Sequence, residues 1–142
     1  MNYDDITVDL LSFIKADAPK NDEFNRIALQ LFAYQFAYNQ PFAKFARARG
    51  KTPRTVTSWT DIPAVPISAF KALEMTCCPP DEADAIFMTS GTTFGRLRGK
   101  SYHQSLSVYD TSMHCNFSER FMGSVGGPNY QVDGNIAFNQ CI

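Results

Sequence analysis

The stretch of sequence that most constrains the fold runs from Ala85 to Lys100. Its first four residues, Ala85 to Met88, form a short apolar run that predicts a buried strand. The strand leads directly into a segment of hydroxyl side chains and glycine, which predicts a loop. We therefore expect the second half of the chain to open with a strand and a functional loop.

The loop after this strand has the composition of an anion-binding site. Glycine lets backbone N–H groups turn toward a ligand, and hydroxyl groups add further donors. Positive charge follows at Arg96, Arg98 and Lys100, although solvated loop cations are an equally good interpretation of these three residues. A solvated turn is the alternative for the whole cluster. The residues that we expect to bind the phosphates of ATP are Thr89, Ser90, Gly91, Thr92, Thr93, Gly95 and Lys100.

A Walker-type phosphate loop is a rival interpretation of the same residues. That motif requires four residues between its first glycine and the Gly-Lys-Ser/Thr ending. The segment Gly95-Arg-Leu-Arg-Gly99-Lys100-Ser101 has the right ending but only three intervening residues. Because successive amides must wrap one phosphate before the helix begins, the missing residue disfavours this motif.

Composition and charge narrow the class of protein. The chain has 142 residues, of which 44% are hydrophobic and 19% charged, as in an ordinary soluble domain. A formal net charge of -1 without long single-sign runs disfavours nucleic-acid binding. The acidic N-terminus does not resemble a secretory signal, and no apolar stretch is long enough to span a membrane. We expect a cytoplasmic protein.

The cysteines predict thiols rather than a disulfide framework or a metal site. The four residues are Cys77, Cys78, Cys115 and Cys141, and no two of them form a Cys-x-x-Cys pair. His114 precedes Cys115, but two adjacent donors without a second pair are a weak zinc signal. We expect no metal bound by protein ligands alone, and reduced, mostly buried thiols.

Residues 1–50 are expected to be helical. Apolar residues recur at helical spacing from Asp4 to Ala16 and again from Phe24 to about Tyr38, where Asn21 to Glu23 supply a cap and negative charge. Pro41 restarts the helix, which ends with cations before Gly50. The aromatic residues of this region favour a core, with a lipid-chain pocket or a partner-binding face as the alternatives.

Residues 51–80 form a segment punctuated by prolines, which we call the strap. Each proline fixes its own φ angle and disfavours helix at the preceding residue, so the strap is expected to be extended. A short helix is expected from Ile67 to Leu73. The strap also carries large apolar residues that we expect to be buried, namely Trp59, Ile62, Val65, Ile67 and Phe70.

The order of these motifs resembles the LuxE-like acyl-protein synthetase family of adenylate-forming enzymes. The resemblance covers about residues 20–115, although Phe94 stands where the family's loop has a glycine. The segments that carry it are Trp59, Asp61-Ile-Pro63-Ala-Val-Pro66, Phe70-Lys71, Phe87-Met-Thr-Ser-Gly-Thr-Thr93, Arg98-Gly-Lys100, His103 and Val108-Tyr109.

The resemblance implies ATP-dependent activation of a long-chain fatty acid or another small carboxylic acid, and transfer of the acyl group to a protein thiol. It implies ATP and Mg²⁺ as cofactors, and an acyl-accepting or reductase protein as a partner. Negative charge gathers on the phosphoryl oxygens during such a reaction, so preorganised donors are required. No catalytic residue is assigned, and Cys141 does not match an acyl-carrying thiol in its surroundings.

The resemblance also implies an incomplete enzyme, because proteins of this family are substantially longer. We expect an α/β fold in which a helical N-terminal region precedes the strand, phosphate loop and helix of a truncated adenylate-forming synthetase domain. The chain is expected to be one domain or an N-terminal fragment, with the loop and a helix from about Gln104 to Phe121 in residues 81–122, and an irregular tail in residues 123–142. The alternative is a non-catalytic binding or regulatory module with a vestigial phosphate loop.

Overall fold

The computed structural model describes residues 2–16, 20–90 and 98–122. Within them the chain forms five α-helices and one two-stranded antiparallel sheet. The fold is therefore a mixed one in which helices predominate over a small sheet. The tail predicted for residues 123–142 lies outside the described residues.

Helix α1 (Tyr3–Ile14) begins with a reciprocal capping arrangement. The backbone N–H of Asp5 donates to Oδ1 of Asn2 at 2.8 Å, and the backbone N–H of Asn2 donates to Oδ2 of Asp5 at 3.1 Å. Both bonds satisfy N–H groups that lack partners within the helix. The predicted helix from Asp4 to Ala16 is confirmed to within two residues.

Helix α2 (Asn21–Tyr38) begins earlier than predicted. Asn21 is its first helical residue and not its cap, because Lys20 occupies the cap position without a side-chain hydrogen bond. The acidic Asp22 and Glu23 lie in the first turn, as predicted, where the positive end of the helix dipole favours negative charge.

Asn39 lies between α2 and helix α3 (Gln40–Arg47) and is the N-terminal cap of α3. Its side-chain Oδ1 accepts from the backbone N–H of Phe42 at 3.0 Å, and Asn39 itself is only 7% exposed. Pro41 lies in the first turn of α3, as predicted. After α3 the chain turns at Gly50, whose φ of +68° belongs to the left-handed region that favours glycine.

The aromatic core, which we define as Phe32, Phe42, Ala46 and Val56, joins α2, α3 and the start of the strap. The rings of Phe32 and Phe42 meet edge to face, with centroids 5.8 Å apart. Each fully buried ring contributes about 2–3 kcal/mol by removal of apolar surface from water. The core interpretation of the aromatic residues is thus confirmed for Phe32 and Phe42, which are buried.

The strap contains two single 3₁₀ turns, at Trp59–Asp61 and Pro80–Glu82, and the short helix α4 (Ala69–Ala72). Ile62 and Val65 pack against the aromatic core, as expected. The expectation of burial is wrong for two residues, since Trp59 is 49% and Ile67 83% exposed. Ile67 lies in the turn before α4 and faces away from the core, whereas Trp59 meets only the edge of Phe24, at 5.4 Å between centroids.

The sheet is a hairpin of β1 (Ala85–Met88) and β2 (Lys100–His103), in which Ala85 pairs with His103 and Met88 with Lys100. Strand β1 is confirmed, but it is only half-buried, and β2 was not predicted. Helix α5 (Ser107–Phe117) and a π-helical turn (Ser118–Met122) correspond to the predicted helix from Gln104 to Phe121, but they begin three residues later and end one residue later than predicted. The order is therefore strand, loop, strand, helix.

Helix α1 packs against both α2 and α5, and α4 packs against β2. These contacts bring the N-terminal helix, the strap and the hairpin around one space, which is described below. None of the described helices combines the length and the apolarity needed to cross a bilayer.

Candidate ligand site

The base of the hydroxyl-rich loop (residues 89–100) is closed by two hydrogen bonds between Thr89 and Gly99. The backbone N–H of Thr89 donates to the carbonyl oxygen of Gly99 at 3.0 Å. In return, the backbone N–H of Gly99 donates to Oγ1 of Thr89, also at 3.0 Å. The Thr89 hydroxyl is therefore an acceptor that fixes the loop ends, and this role was not foreseen in its assignment to phosphate binding.

Gly99 is required at this closure by close approach rather than by its φ angle. It is buried, and a Cβ atom there would lie 3.3 Å from Cγ2 of Thr89 and 3.6 Å from Cγ of Lys71. A Cβ at residue 99 would therefore be tight against the methyl group of Thr89, which would have to shift by a few tenths of an ångström, and in ordinary contact with Lys71.

The predicted phosphate-binding residues fall into two groups. Thr89, Ser90 and Lys100 are described, and all three are exposed at the two ends of the loop. Arg98 is also exposed at the second end. The remaining predicted residues lie outside the described part of the chain, namely Gly91, Thr92, Thr93 and Gly95.

The chemistry of the described loop ends fits a phosphate group. Arg98 and Lys100 bring two cations to the end of the loop, and Ser90 brings a hydroxyl to its start. Mg²⁺ that accompanies a nucleotide takes most of its ligands from phosphate oxygens and water, so it requires few protein ligands. Among residues 2–16, 20–90 and 98–122, no three His, Cys, Asp or Glu side chains converge into a metal-binding group.

A cavity of about 290 Å³ lies beside β2, of which Ser101, Tyr102 and His103 line it. Its walls come from α1, α2, α3, the strap from Val65 onward, β2 and α5. Most of the lining is apolar, as in typical small-molecule sites.

Three hydrogen-bonding side chains, which we call the polar cluster, line one part of this cavity: Ser101, His103 and Tyr109. Ser101 and His103 are buried on the same face of β2, where Oγ of Ser101 lies 3.4 Å from Nε2 of His103. The imidazole ring packs against Phe87 at 4.6 Å and against Tyr109 at 5.9 Å between centroids. Burial lowers the pKa of His103, because desolvation disfavours its charged form.

The hydroxyl of Tyr109 is buried and has no hydrogen-bond partner among the described residues. Buried hydroxyl groups are nearly always satisfied, since an unsatisfied one loses its bonds to water without compensation. With less than 1 Å² of accessible surface, the hydroxyl oxygen is out of reach of a water-sized molecule, so it lies behind the cavity wall and not in the open space.

A second titratable pair, Tyr34 and Cys77, lines the cavity away from β2. Burial, with a smaller contribution from Cys77, raises the pKa of Tyr34 to about 12. Burial and the neighbouring Cys78 raise the pKa of the Cys77 thiol to about 11. Cys77 is consequently a protonated thiol at neutral pH and a poor nucleophile.

The prediction of free thiols is confirmed for the three described cysteines, Cys77, Cys78 and Cys115. Each of them is half-buried. Cys141 lies outside the described residues.

Sequence reasoning did not identify the polar cluster as a site. His103 and Tyr109 were noted only as part of a family resemblance, and Ser101 only as the end of a rejected Walker motif. The available signal was the alternation of Ser101 and His103, because residues two apart in a strand share a face. Without a prediction of β2, that alternation had no structural meaning.

Comparison with known proteins identified no relative of the chain. No family model, no curated protein and no solved structure matches the chain. A function for the chain is therefore argued from its own residues.

Proposed function

We propose that the chain binds ATP through the hydroxyl-rich loop and takes part in the activation of a carboxylic acid as an acyl-adenylate. In this proposal the acyl group then passes to a thiol of a partner protein, as in the acyl-protein synthetases that the sequence resembles. The motif order from Trp59 to Tyr109 supports this choice of reaction.

The observation that carries the proposal is the double role of β2. Its first residue, Lys100, ends the loop and is exposed, and its next three residues, Ser101, Tyr102 and His103, line the cavity. An acid-activating enzyme must hold a phosphate and an acyl chain within reach of one another, since the reacting groups have to be brought into contact. Adjacent loop and cavity satisfy that requirement.

The distribution of charge determines how the acid would be oriented in the site. Its carboxylate would lie on the side of Arg98 and Lys100, because positive charge there offsets the repulsion between carboxylate and phosphate. Mg²⁺, when bound with the nucleotide, supplies further neutralisation of the phosphate oxygens. The apolar part of the acid would enter the cavity, most of whose lining is apolar.

The acyl acceptor is proposed to belong to another protein. Among the described thiols, Cys77 lines the cavity but is held protonated by its raised pKa of about 11. Thiolate, and not thiol, is the attacking species in thioester formation.

A second candidate function is that of a non-catalytic small-molecule binding module. One observation favours it: helices, the strap and strand β2 among the described residues line a mostly apolar cavity. A partner-binding face on α2 and α3 is less well supported, since Phe32 and Phe42 are buried in the aromatic core.

The first test is calorimetric titration of the whole chain with ATP and Mg²⁺. The variant is Ser90→Ala/Thr92→Ala, and the matched control is Ser58→Ala/Thr60→Ala, which removes two exposed hydroxyls at the same spacing in the strap. We expect binding by the wild type and the control, and loss of about tenfold or more in affinity for the loop variant, since two donors to a charged oxygen are removed. Equal affinities for all three proteins would contradict the proposal.

The second test distinguishes an enzyme from a binding module. Exchange of labelled pyrophosphate into ATP is measured with and without octanoate. Exchange that depends on octanoate and is lost in the loop variant supports acid activation. A chain that binds octanoate but shows no exchange, although it binds ATP, is a binding module.

A further inference from the structure

We propose that the end of α3 and the turn after it form a docking surface for an acidic segment of another protein. The surface, which we call the basic patch, lies within residues 44–54 and consists of Lys44, Arg47, Arg49, Lys51 and Arg54. None of these five residues lines the cavity or belongs to the hydroxyl-rich loop. The proposal therefore goes beyond ATP-dependent activation and does not depend on it.

The distribution of charge along the chain is the first argument. Residues 44–54 contain 5 Lys and Arg residues and no Asp or Glu, whereas the rest of the chain contains 8 Lys and Arg residues and 14 Asp and Glu residues. The formal net charge of -1 is thus divided into +5 within this short segment and -6 over the rest of the chain. Positive charge concentrated in this way attracts and orients an anionic partner during the encounter.

Hydrogen bonds between the turn and the end of α3 make this segment compact. The backbone N–H of Lys51 donates to the carbonyl oxygen of Ala46 at 3.0 Å. The hydroxyl of Thr55 donates to the carbonyl oxygen of Gly50, also at 3.0 Å. The five cations are therefore carried by one compact part of the structure.

The shortage of carboxylate partners is the second argument. Among the described residues the patch has one ion pair, in which Nζ of Lys51 lies 3.3 Å from Oδ1 of Asp61. Cations in the last turn of a helix are favoured by its dipole, but this effect does not account for the three cations that follow α3. Four cations of the patch are exposed without a carboxylate partner in the described ranges, namely Lys44, Arg47, Arg49 and Arg54.

Two of the arginines lie against aromatic rings, which is the third argument. Cζ of Arg47 is 4.6 Å from the ring centroid of Phe36, and Cζ of Arg49 is 3.6 Å from that of Phe45. Of their N–H groups, one on Arg49 donates within the described residues, to the carbonyl oxygen of Phe45 at 3.4 Å. The ring contacts restrain the long side chains and leave most of the five N–H groups of each guanidinium for a carboxylate of the partner. Binding to restrained side chains costs less conformational entropy.

The small extent of the patch determines which anionic partner fits. A nucleic acid or an anionic bilayer extends well beyond one helix end, so it would also meet the parts of the chain that carry the excess of Asp and Glu. A short acidic segment contacts the patch alone. A second copy of the chain offers exposed carboxylates at Asp81, Glu82 and Asp84, but such a head-to-tail contact would have to close into a ring or grow without limit.

The test measures binding of fluorescein-labelled twelve-residue peptides to the full chain by fluorescence anisotropy, without ATP. One peptide alternates glutamate with alanine, and its control has glutamine in place of every glutamate. We expect the glutamate peptide to bind at least about tenfold more tightly in about 50 mM salt, and this advantage to disappear in about 500 mM salt, because salt screens exposed charge pairs. Equal binding of the two peptides in dilute salt overturns the proposal.

Variants that remove charge locate the binding surface. Arg47→Gln/Arg49→Gln should weaken binding of the glutamate peptide about tenfold. The matched control is Lys15→Gln/Lys20→Gln, which removes two exposed cations elsewhere and should change the affinity less than about twofold. Equal weakening by the two double variants would show that the peptide responds to net charge and not to the patch, which would overturn the proposal.

A second variant of the patch keeps the test decisive if loss of the ring contacts destabilises the first. Lys44→Gln/Arg54→Gln removes two exposed charges that contact no ring among the described residues. We expect the melting temperature to stay within about two degrees of the wild type and binding of the glutamate peptide to weaken about tenfold. Unchanged binding in this folded variant contradicts the proposal.

Competition identifies the class of partner. Unlabelled glutamate peptide should displace the labelled peptide at least about tenfold more effectively than single-stranded oligothymidine of equal formal charge or vesicles of phosphatidylcholine and phosphatidylserine. Stronger displacement by either would assign the patch to a nucleic acid or a membrane and overturn the proposal. Self-association in sedimentation that is lost in Arg47→Gln/Arg49→Gln would also overturn it, since a second copy of the chain would then occupy the patch.

Discussion

The aromatic core and the cavity share a wall at Phe42, which belongs to the core and also lines the cavity, yet the two regions differ in how they are packed. In the core, the rings of Phe32 and Phe42 fill the space between α2 and α3, and the buried Asn39 beside them caps a helix. In the cavity, Ser101, His103 and Tyr109 are brought together beside unfilled volume.

This difference shows that the aromatic core stabilises the fold and that the cavity region destabilises it. Close packing and a satisfied cap favour folding, whereas a buried hydroxyl without a partner and an unfilled space oppose it. Regions that oppose folding persist where they serve binding or catalysis. The predictions below test that contrast, beginning with the largest expected effect.

Phe32→Ala should destabilise the protein most. The side chain is 2% exposed and is the largest fully buried one among the described residues, so truncation leaves a hole in the aromatic core. We expect the free energy of unfolding to fall by about 3–5 kcal/mol, as measured by urea denaturation.

Phe121→Ala is the matched control for Phe32→Ala, because Phe121 is 62% exposed and loses the same atoms. We expect a change of about 0.5 kcal/mol or less at this surface position. Similar losses in the two variants would show that the aromatic core is not the main source of stability.

Asn39→Ala should have the next largest effect. The change removes the acceptor of the Phe42 N–H, which is buried, and we expect a loss of about 2 kcal/mol in the free energy of unfolding. Asn39→Ser keeps an acceptor and should recover most of this loss. Asn2→Ala, which removes the exposed cap of α1, should cost about 0.5 kcal/mol, and equal effects of Asn2→Ala and Asn39→Ala would contradict the importance of burial.

His103 should make the free energy of unfolding depend slightly on pH, with lower stability at lower pH. Its pKa is lowered in the folded state, so the unfolded state binds a proton more readily. The contribution of neutral His103 to stability is therefore fully present above the unfolded pKa of about 6.5 and is lost as the pH falls through the lower, folded value. We expect the free energy of unfolding, measured by urea denaturation, to decrease from pH 7 to pH 5.

His103→Gln should reduce the decrease in the free energy of unfolding between pH 7 and pH 5, since glutamine does not titrate. His114→Gln is the control, because His114 is exposed on α5 and its replacement should leave the slope as it is in the wild type. An unchanged slope in His103→Gln, or a stability that rises as the pH falls, would contradict the assignment of a neutral, buried imidazole.

The helices were predictable from sequence because their signals are local. Apolar spacing identified α1 and α2, and Pro41 and Gly50 marked the limits of α3. The start of α2 was misplaced, since Asn21 is a good capping residue by type but lies one position inside the helix. Capping preference does not fix which of several adjacent polar residues occupies the cap.

The strap and β2 were harder to predict because their environment is set by distant parts of the chain. Trp59 and Ile67 are apolar enough for a core, but turns direct them outward. Strand β2 has a basic first residue and polar neighbours, and only pairing with β1 makes it a strand.

The cavity could not be predicted from the sequence, for a related reason. Its lining comes from α1, α2, α3, the strap, β2 and α5, so residues from Tyr3 to Met113 meet there only after folding. The loop, in contrast, is contiguous and could be singled out as a phosphate-binding candidate from its composition. The loop of the proposed site could therefore be predicted from the sequence, whereas the cavity could not.

The paired hydrogen bonds between Thr89 and Gly99 have a consequence for how this chain can vary. They fasten both ends of the loop at one point, next to the last pair of the hairpin, so changes between them need not shift the register of β1 and β2. Doubling the length of a flexible loop costs only about 0.6 kcal/mol. Loops of different length and chemistry could therefore be exchanged at this point, by mutation or by design, while the ligand preference of the cavity is inherited intact.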